Sequence, residues 1–570
     1  MPSRYRRMFR AREASGWIFS SLLIAAIVVS PIVALAAFAS QGSGDLWPSL
    51  IAYVLPQASI NTVLLLGGVG ITVSVIGVGT AWLVATARFP GRAIFEWALL
   101  LPFAIPTYII AYAYLDILHP LGPIQSGLRA LFGIANPRDL HFPDVRAMWG
   151  AILLLGFVLY PYVYLAARAT FLMQTASALE VARTLGAGRA EIFFRIALPL
   201  ARPAIIVGVT LAMLEALNDI GATEFLGTRT LTVSIYSTWL NRSSLPGAAQ
   251  ISLMMLVLVV ALFLLERWAR RHQRFAGNTR RAHPLAPTEL RGWKAAGAFA
   301  ACALPILIGF ILPAAYLSQQ AAERISHYGL SPQIFTEAKN TLLLAGAATL
   351  VTLLCGLVIA YTARAGRGAL AWLPAKIASV GYAIPGTVLA VGLLGPMAAF
   401  DNTIDAFMRQ TFGISTGLLI SGTGGALVYA YLIRFLAISI NGIESGYAKI
   451  PASLDNAARS LGEPAAGVMR RIHLPLLRPA LGAAAILVFV DCMKELPATL
   501  MLRPFGVETL STHVYAEAVR GTYEDGAVAA LLIVLAGLIP VILLARLSRA
   551  AVDGFSSVSG DQVRSAAMSR

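Results

Sequence analysis

Long apolar stretches recur along the whole chain, and short polar segments separate them. A helix that crosses a membrane needs about 20 mostly apolar residues. Twelve stretches of this kind lie near 17–39, 61–86, 95–118, 148–167, 203–222, 249–266, 295–317, 341–362, 373–399, 418–438, 479–500 and 527–545. The pattern therefore predicts an all-α polytopic membrane protein with about 12 transmembrane helices.

The composition supports a membrane protein and excludes the soluble classes. Of the 570 residues, 58% are hydrophobic and only 13% are charged, whereas soluble domains average about 25% charged residues. So few charges cannot cover a soluble surface. Cys302, Cys355 and Cys492 lie in apolar runs without the spacing of a disulfide framework or zinc site. We expect them to be packing residues, and we expect no permanent metal site.

The net charge of +16 follows the predicted topology. Alternate connections hold 33 of the 44 Lys and Arg residues, namely the N-terminus, 88–92, 168–202, 267–294, 364–376, 434–478 and the C-terminal tail. Cytoplasmic loops are enriched in these residues. We therefore expect both termini to be cytoplasmic, and we expect lipid rather than nucleic acid to be the surrounding partner.

The chain is predicted to be a tandem repeat. Asn61-Thr62 matches Asn340-Thr341, and 104–106 matches 383–385, both with the same separation along the chain. Each repeat contains six spans, so the two six-helix units have the same orientation in the membrane, unlike inverted repeats. The predicted divisions are 1–60 (N-terminus, first span and loop), 61–266 (unit 1), 267–294 (cytoplasmic linker), 295–339 (seventh span and loop), 340–545 (unit 2) and 546–570 (tail).

One proline falls inside the third span of each repeat. Pro106 and Pro385 remove a backbone hydrogen bond and are predicted to kink their helices. The kink either shapes the helix alone or opens a path between the units.

A polar motif follows the fourth span of each repeat. The first copy contains Glu180, Ala182 and Gly186, and after nine residues Ile196, Leu198 and Pro199. The second copy contains Asp455, Asn456, Ala458 and Gly462, and after the same spacing Ile472, Leu474 and Pro475. The pattern predicts two short helices joined by a glycine turn, with a proline entry to the next span.

This duplicated motif resembles the loop of permeases from ATP-binding-cassette importers that depend on a binding protein. The resemblance implies an import permease whose two coupling loops dock on two ATPase subunits. It also implies an extracellular or periplasmic substrate-binding protein and a bacterial cytoplasmic membrane location. Asn456 departs from the acidic residue that Glu180 supplies, so the two ATPase contacts are expected to differ.

The segments 215–224 and 493–504 resemble the ferric-iron branch of these permeases, in which the two units are fused. Related thiamine, polyamine and phosphonate permeases share the architecture, and they remain alternatives. An ion-driven secondary transporter and an integral membrane enzyme are remote alternatives, since neither explains the duplicated motif.

The chain has no P-loop, because none of its five lysines follows glycine and precedes serine or threonine. We expect no enzymatic activity and no bound cofactor, with ATP acting only through the partner ATPase.

Six polar residues inside the spans are the candidates for a translocation path or gate. Glu215, Asn218 and Asp219 have the spacing i, i+3, i+4, and so do Asp491, Lys494 and Glu495. Each set lies on one helical face. Charges within a membrane are costly and face a cavity or a partner. The carboxylates either contact a hard cation transiently or form ion pairs that pack or gate the helices, such as Asp491 with Lys494.

Overall fold

The computed structural model describes residues 2–173, 186, 188–271, 288–366 and 368–568, and helices dominate them. Two short strands, Ala87–Arg88 and Thr288–Glu289, pair in parallel. This pair joins the linker between the units to the end of the second span. The prediction of an all-α membrane protein is confirmed.

Eleven helices in the described ranges are long and apolar enough to cross a membrane. They are Gly16–Ser40, Leu46–Thr86, Met148–Leu172, Ala190–Asn218, Leu245–Ala269, Trp293–Tyr328, Pro332–Ala365, Gly386–Phe412, Gly425–Tyr447, Ala466–Lys494 and Tyr523–Arg546. A bent pair, Arg92–Ala104 with Thr107–Ile117, supplies the twelfth candidate. Each of the twelve predicted stretches overlaps one of these spans.

Shorter helices connect and cap the spans. They are Pro123–Phe132, Gly221–Phe225, Leu231–Leu240, Ala369–Ser379, Ala452–Ser460, Ala465–Val468, Pro497–Leu502 and Leu510–Arg520. The first and last spans belong to longer helices, Pro2–Ser40 and Tyr523–Met568.

Matched residues of the two repeats make the same contacts. Asn61 Nδ2 donates to the carbonyl of Arg229 at 3.1 Å, and Asn340 Nδ2 donates to the carbonyl of Glu508 at 3.0 Å. The hydroxyl of Thr62 accepts from a backbone N–H at 3.0 Å, and that of Thr341 does so at 2.9 Å. The repeated Asn-Thr pair therefore ties the second span of each unit to the segment before its last helices.

The two prolines end their helices completely instead of bending them. Pro106 has φ −58° and ψ 147°, and Pro385 has φ −58° and ψ 143°. Each precedes the first residue of a new helix. The helices before and after Pro106 differ in direction by 89°. The extended ψ of the proline, together with its missing N–H, explains why the break is larger than the predicted kink.

The first helix of each unit packs against the other unit. In the first span, the Ser21 hydroxyl lies 2.6 Å from the Thr362 hydroxyl of unit 2. The ring centroids of Trp17 in this span and Tyr361 in unit 2 are 4.9 Å apart. In the seventh span, the carbonyl of Ile308 accepts from Tyr114 of unit 1 at 2.9 Å. This exchange interlocks the two units.

The charge count assigned Arg168 and Arg434 to cytoplasmic connections. Both lie within helices, and the count for those two connections is corrected accordingly. Arg168 is buried in Met148–Met173 and pairs with Glu96 at 2.5 Å. Arg434 is buried in Gly425–Tyr447, which extends well beyond the predicted end at 438. The three cysteines are free, as expected.

Glycines in the second span allow close contact with the fourth span. A Cβ at Gly77 would lie 2.7 Å from the Cβ of Val163 and 3.0 Å from the carbonyl oxygen of Tyr160. Gly79, in the same helix, has open space around it. The helix pair Leu55–Thr86 and Met148–Met173 therefore depends on glycine at selected positions only.

We predict that Gly77→Ala lowers the free energy of unfolding by about 1–3 kcal/mol, because the added methyl overpacks the helix contact. Thermal unfolding of the purified protein in lipid nanodiscs measures the effect. Gly79→Ala is the matched control and should be neutral or slightly stabilising. Equal transition temperatures for the two variants would contradict this account of the packing.

Candidate functional site

The six predicted polar residues line one cavity between the two units. Glu215 and Asn218 lie in the last turn of the helix Leu198–Asn218, and Asp219 follows it. Asp491, Lys494 and Glu495 occupy the matching positions around the end of Leu474–Lys494. The structure thus brings together two polar faces that belong to separate halves of the sequence.

Asp219 and Glu495 cap the short helices that follow them. Asp219 Oδ1 accepts from the backbone N–H of Ala222 at 2.7 Å, and Thr107 donates its hydroxyl to Oδ2. Glu495 accepts from the N–H groups of Ala498 at 2.9 Å and Thr499 at 3.0 Å. Both carboxylates are buried. Their oxygens serve the protein itself, which favours the structural alternative for these two residues.

Glu215 and Asp491 are the carboxylates that remain partly exposed to the cavity. Tyr382 donates its hydroxyl to Glu215 Oε1 at 3.1 Å. Asp491 Oδ1 lies 2.8 Å from Lys494 Nζ, so the considered Asp491–Lys494 pair is present. About a quarter of the Asp491 side chain and a third of the Lys494 side chain are exposed, at 26% and 34%. These groups can meet a polar cargo without complete desolvation.

Arg434 is the cavity residue that the sequence reasoning missed. Its Nη1 lies 3.1 Å from Glu495 Oε1 and 3.2 Å from Asn218 Oδ1. The available signal was a lone arginine inside the apolar run 425–440. The predicted span ended at 438, and Arg434 was counted with the loop that follows. The sequence reasoning therefore did not treat it as a residue of the span.

The helix breaks border the same cavity. Pro106 lines it directly. Gly386, which follows Pro385, donates its N–H to Asn218 Oδ1 at 2.6 Å. The breaks therefore expose backbone groups where the two units meet, in addition to changing the course of the helices.

The second copy of the coupling motif has the predicted geometry. Asp455, Asn456 and Ala458 lie on the helix Ala452–Ser460, and Gly462 follows with φ +91°. Ile472 lies in the π-helical turn Met469–His473, and Leu474 and Pro475 begin the next span. The left-handed backbone at Gly462 explains the requirement for glycine at this position.

The first copy is described only in part. Glu180 and Ala182 lie outside the described residues. Gly186 has φ +84°, the same left-handed conformation as Gly462. Ile196 lies in the turn Phe193–Ala197, and Leu198 and Pro199 begin the fifth span.

A partly buried polar network holds the second coupling helix against the membrane helices. Asp455 accepts from Arg364 Nε at 3.1 Å and lies 2.8 Å from His473 Nε2. Arg364 also donates to the carbonyls of Tyr447 at 3.0 Å and Ile450 at 3.1 Å. Burial raises the pKa of Asp455, but the hydrogen bonds from His473 and Arg364 outweigh it and hold this pKa below its ordinary value.

The sequence at two of the three positions of this network differs in the first copy. When the two coupling motifs are aligned without a gap, Asp455 matches Leu179 and His473 matches Ala197. Arg364 matches Arg88 in the same alignment. The first copy thus has an arginine at the position of Arg364 but Leu179 and Ala197 at the positions of Asp455 and His473, and its acid, Glu180, follows Leu179.

No group of three or more His, Cys, Asp or Glu side chains in the described ranges is arranged to hold a metal ion. The four cavity carboxylates are divided between capping, ion pairing and partial exposure. A cation that enters the cavity would meet dispersed oxygens.

Comparison with known proteins gives one family. The model of the binding-protein-dependent transport system inner membrane component matches residues 74–275. An Fe(3+)-transport system permease protein of Haemophilus influenzae is 25% identical over 85% of this chain and 88% of that protein. A ferric transport system permease protein of Actinobacillus pleuropneumoniae is 25% identical over 89% and 73%. The molybdenum transport system permease protein of Escherichia coli K12 is 32% identical over 35% of this chain and 86% of that protein.

We predict that Asp455→Asn loosens the second coupling helix. The amide removes the charge that Arg364 faces, and losing a charge-assisted hydrogen bond costs about 1.5–3 kcal/mol. Hydrogen exchange of the segment 452–473 should therefore accelerate. Asn456→Ala is the matched control, since its side chain is exposed on the same helix. Equal exchange in both variants would contradict the anchoring role.

The same network predicts a direction of pH dependence. The folded-state pKa of Asp455 is lowered, so its contribution to stability is fully present above the unfolded pKa of about 3.9. That contribution is lost as pH falls through the lowered folded pKa. The difference between the wild type and Asp455→Asn should accordingly vanish in acid and remain constant above about pH 5.

Proposed function

Because the chain belongs to the family of binding-protein-dependent transport system inner membrane components, which are ABC import permeases, we propose that its cargo is ferric iron. The observation that carries this assignment is the relation to ferric permeases along both units, whereas the molybdenum permease relates to about one third of the chain, 35%. The cavity chemistry supports it, since ferric iron is a hard cation that favours oxygen ligands.

Glu215 and Asp491 are the residues that we expect to meet the cargo. Their carboxylates are partly exposed, and they occupy matching positions on the two sides of the cavity. Asp219 and Glu495 shape the cavity through the helices that they cap. A dispersed set of oxygens suits transport, because a path that binds too tightly cannot release its cargo.

A second candidate cargo is a molybdenum species, which the 32% identical relative favours. Arg434 and Lys494 bring two positive charges to the cavity, as an anionic cargo would require. Each of these cations is already paired with a carboxylate, Arg434 with Glu495 and Lys494 with Asp491. Four carboxylates against two cations favour a cationic cargo.

The energy for transport comes from partner subunits in this proposal. Two ATPase subunits dock on the two coupling loops from the cytoplasm, and a substrate-binding protein delivers cargo on the opposite face. Both termini are cytoplasmic. ATP and the loaded binding protein bias the permease between its inward-open and outward-open states because they bind those states with different affinity. The chain itself binds no cofactor.

We predict that Glu215→Gln lowers the rate of ferric-iron uptake about tenfold, the effect of losing one charged contact. The amide still accepts a hydrogen bond from Tyr382, so the amount of protein in the membrane should stay normal. Uptake of radioactive iron by a strain that lacks its own ferric importers measures the rate. Excess molybdate should not compete.

Glu444→Gln provides the control, because Glu444 is an exposed acid on the helix Gly425–Tyr447 and does not line the cavity. It should transport normally. Normal iron uptake by Glu215→Gln and Asp491→Asn together would eliminate direct contact of these carboxylates with the cargo. Competition by molybdate would favour the second candidate.

We also predict that Gly462→Val weakens docking of the ATPase on the second coupling loop. Valine is strained at φ +91°, although nothing lies within 4 Å of the added Cβ. Uptake and binding-protein-stimulated ATPase activity of the assembled importer should fall together, while membrane levels stay normal. Gly186→Val should have an effect of different size, because Glu180 of the first copy is matched by Asn456 in the second.

Gly482→Val is the matched control for this substitution. Gly482 has equally open surroundings, but its backbone lies in the helix Leu474–Lys494 without a positive φ. Normal coupling in Gly462→Val and Gly186→Val would count against docking by these loops.

A further inference from the structure

Asn218 is a point of contact between the two units inside the cavity. It belongs to unit 1, and its Oδ1 accepts two hydrogen bonds from unit 2. One comes from the backbone N–H of Gly386 at 2.6 Å, and the other comes from Arg434 Nη1 at 3.2 Å. We name these three residues the inter-unit bridge. A side chain of one unit thus holds both a helix start and a buried cation of the other.

A side chain at position 386 would crowd the bridge and displace its partners. A Cβ at Gly386 would lie 2.5 Å from Arg434 Nη1 and 2.8 Å from Glu495 Oε1. Arg434 itself is buried in the helix Gly425–Tyr447. Hydrogen bonds to a charged group in such surroundings are stronger than those in water.

The repeat does not reproduce the bridge on the other side of the cavity. In the alignment that matches the two coupling motifs, Arg434 matches Val158 and Asn218 matches Lys494. Val158 carries no charge, and Lys494 pairs with Asp491 in its own unit. The bridge is therefore asymmetric, although the cavity that contains it is built from matched positions.

The two partners of Arg434 belong to different units, so the bridge can break without leaving Arg434 unpaired. Glu495 belongs to the same unit as Arg434 and lies 3.1 Å from it. If the units separate at the cavity, Arg434 leaves Asn218 but keeps Glu495. A buried cation stranded without a partner would cost several kcal/mol, and this arrangement avoids that cost. The bridge can therefore open and close repeatedly.

We propose that the inter-unit bridge is a brake on alternating access, which stabilises the resting state until the loaded binding protein arrives. The proposal rests on the proposed function, since it concerns the cycle of an ATP-driven permease. Movement of the units relative to each other must break the Asn218–Arg434 contact. The strength of that contact then sets how often the importer leaves its resting state and hydrolyses ATP without cargo.

Opposite changes at Asn218 test the brake. The measurement is the ATPase activity of the importer, reconstituted with its ATPase and binding protein in lipid vesicles, expressed as the ratio of the basal rate to the rate with ferric-loaded binding protein. Asn218→Ala removes the acceptor, so the ratio should rise about tenfold, the shift expected from losing one charge-assisted hydrogen bond. Asn218→Asp keeps the acceptor and adds a charge that attracts Arg434, so the ratio should fall.

Arg168→Gln is the matched control. Arg168 is buried as deeply as Arg434, at 7% and 9% exposure, and its partner Glu96 lies within the same unit. This variant should lower thermal stability and leave the ratio unchanged. Asn218→Ala also leaves the Gly386 N–H without its acceptor. Asn218→Asp keeps that acceptor, so its result distinguishes the brake from a simple folding defect.

The outcomes separate the brake from the cargo assignment. Unchanged ratios in Asn218→Ala and Asn218→Asp, or a shift in the same direction for both, would overturn the brake. The basal rate does not depend on iron. Opposite shifts in an importer whose wild type fails to take up iron would support the brake and reject ferric iron as cargo.

Discussion

Backbone groups inside a membrane must find partners within the protein, because lipid offers none. The centre of this permease follows from that constraint. Four helices end or begin around the cavity, at Pro106, Pro385, Asn218 and Lys494. At three of these breaks a side chain accepts from the freed backbone N–H groups, namely Asn218 after Pro385, Asp219 after Asn218 and Glu495 after Lys494. The cavity is polar because the helices around it are interrupted.

The two units share a scaffold but differ in their charges. Both units contain a helix break and a glycine turn, and each has a capping carboxylate, Asp219 in the first and Glu495 in the second. Arg434, Asp455 and His473 occur in the second unit, whereas the first has apolar residues at the matching positions. A fused chain allows such divergence, since each unit always meets the same partner. The first helix of each unit packs on the other unit, so a relative movement carries these helices across the interface that Asn218 bridges.

Much of the architecture could be predicted from the sequence. The twelve spans, the tandem repeat and the helix–glycine–helix coupling motif follow from apolar stretches, constant offsets and residues with special backbone preferences. The i, i+3, i+4 spacing placed the six polar residues on two helical faces, and membrane energetics required those faces to meet something polar. Local rules were sufficient for the spans and the coupling motif because each depends on residues that are close together in the chain, and the repeat required only comparison of the sequence with itself.

Tertiary structure decided the roles within the cavity. The sequence left open whether Asp219 and Glu495 contact cargo, because capping depends on where each helix ends and what approaches it. Arg434, Asn218 and Gly386 come from three separate helices, and Asp455 meets an arginine from a distant span. Such contacts depend on how the helices cross, which no local pattern encodes. The sequence determined which residues are polar within the membrane, and only the packing of the two units determined which of them bind each other and which remain partly exposed in the cavity.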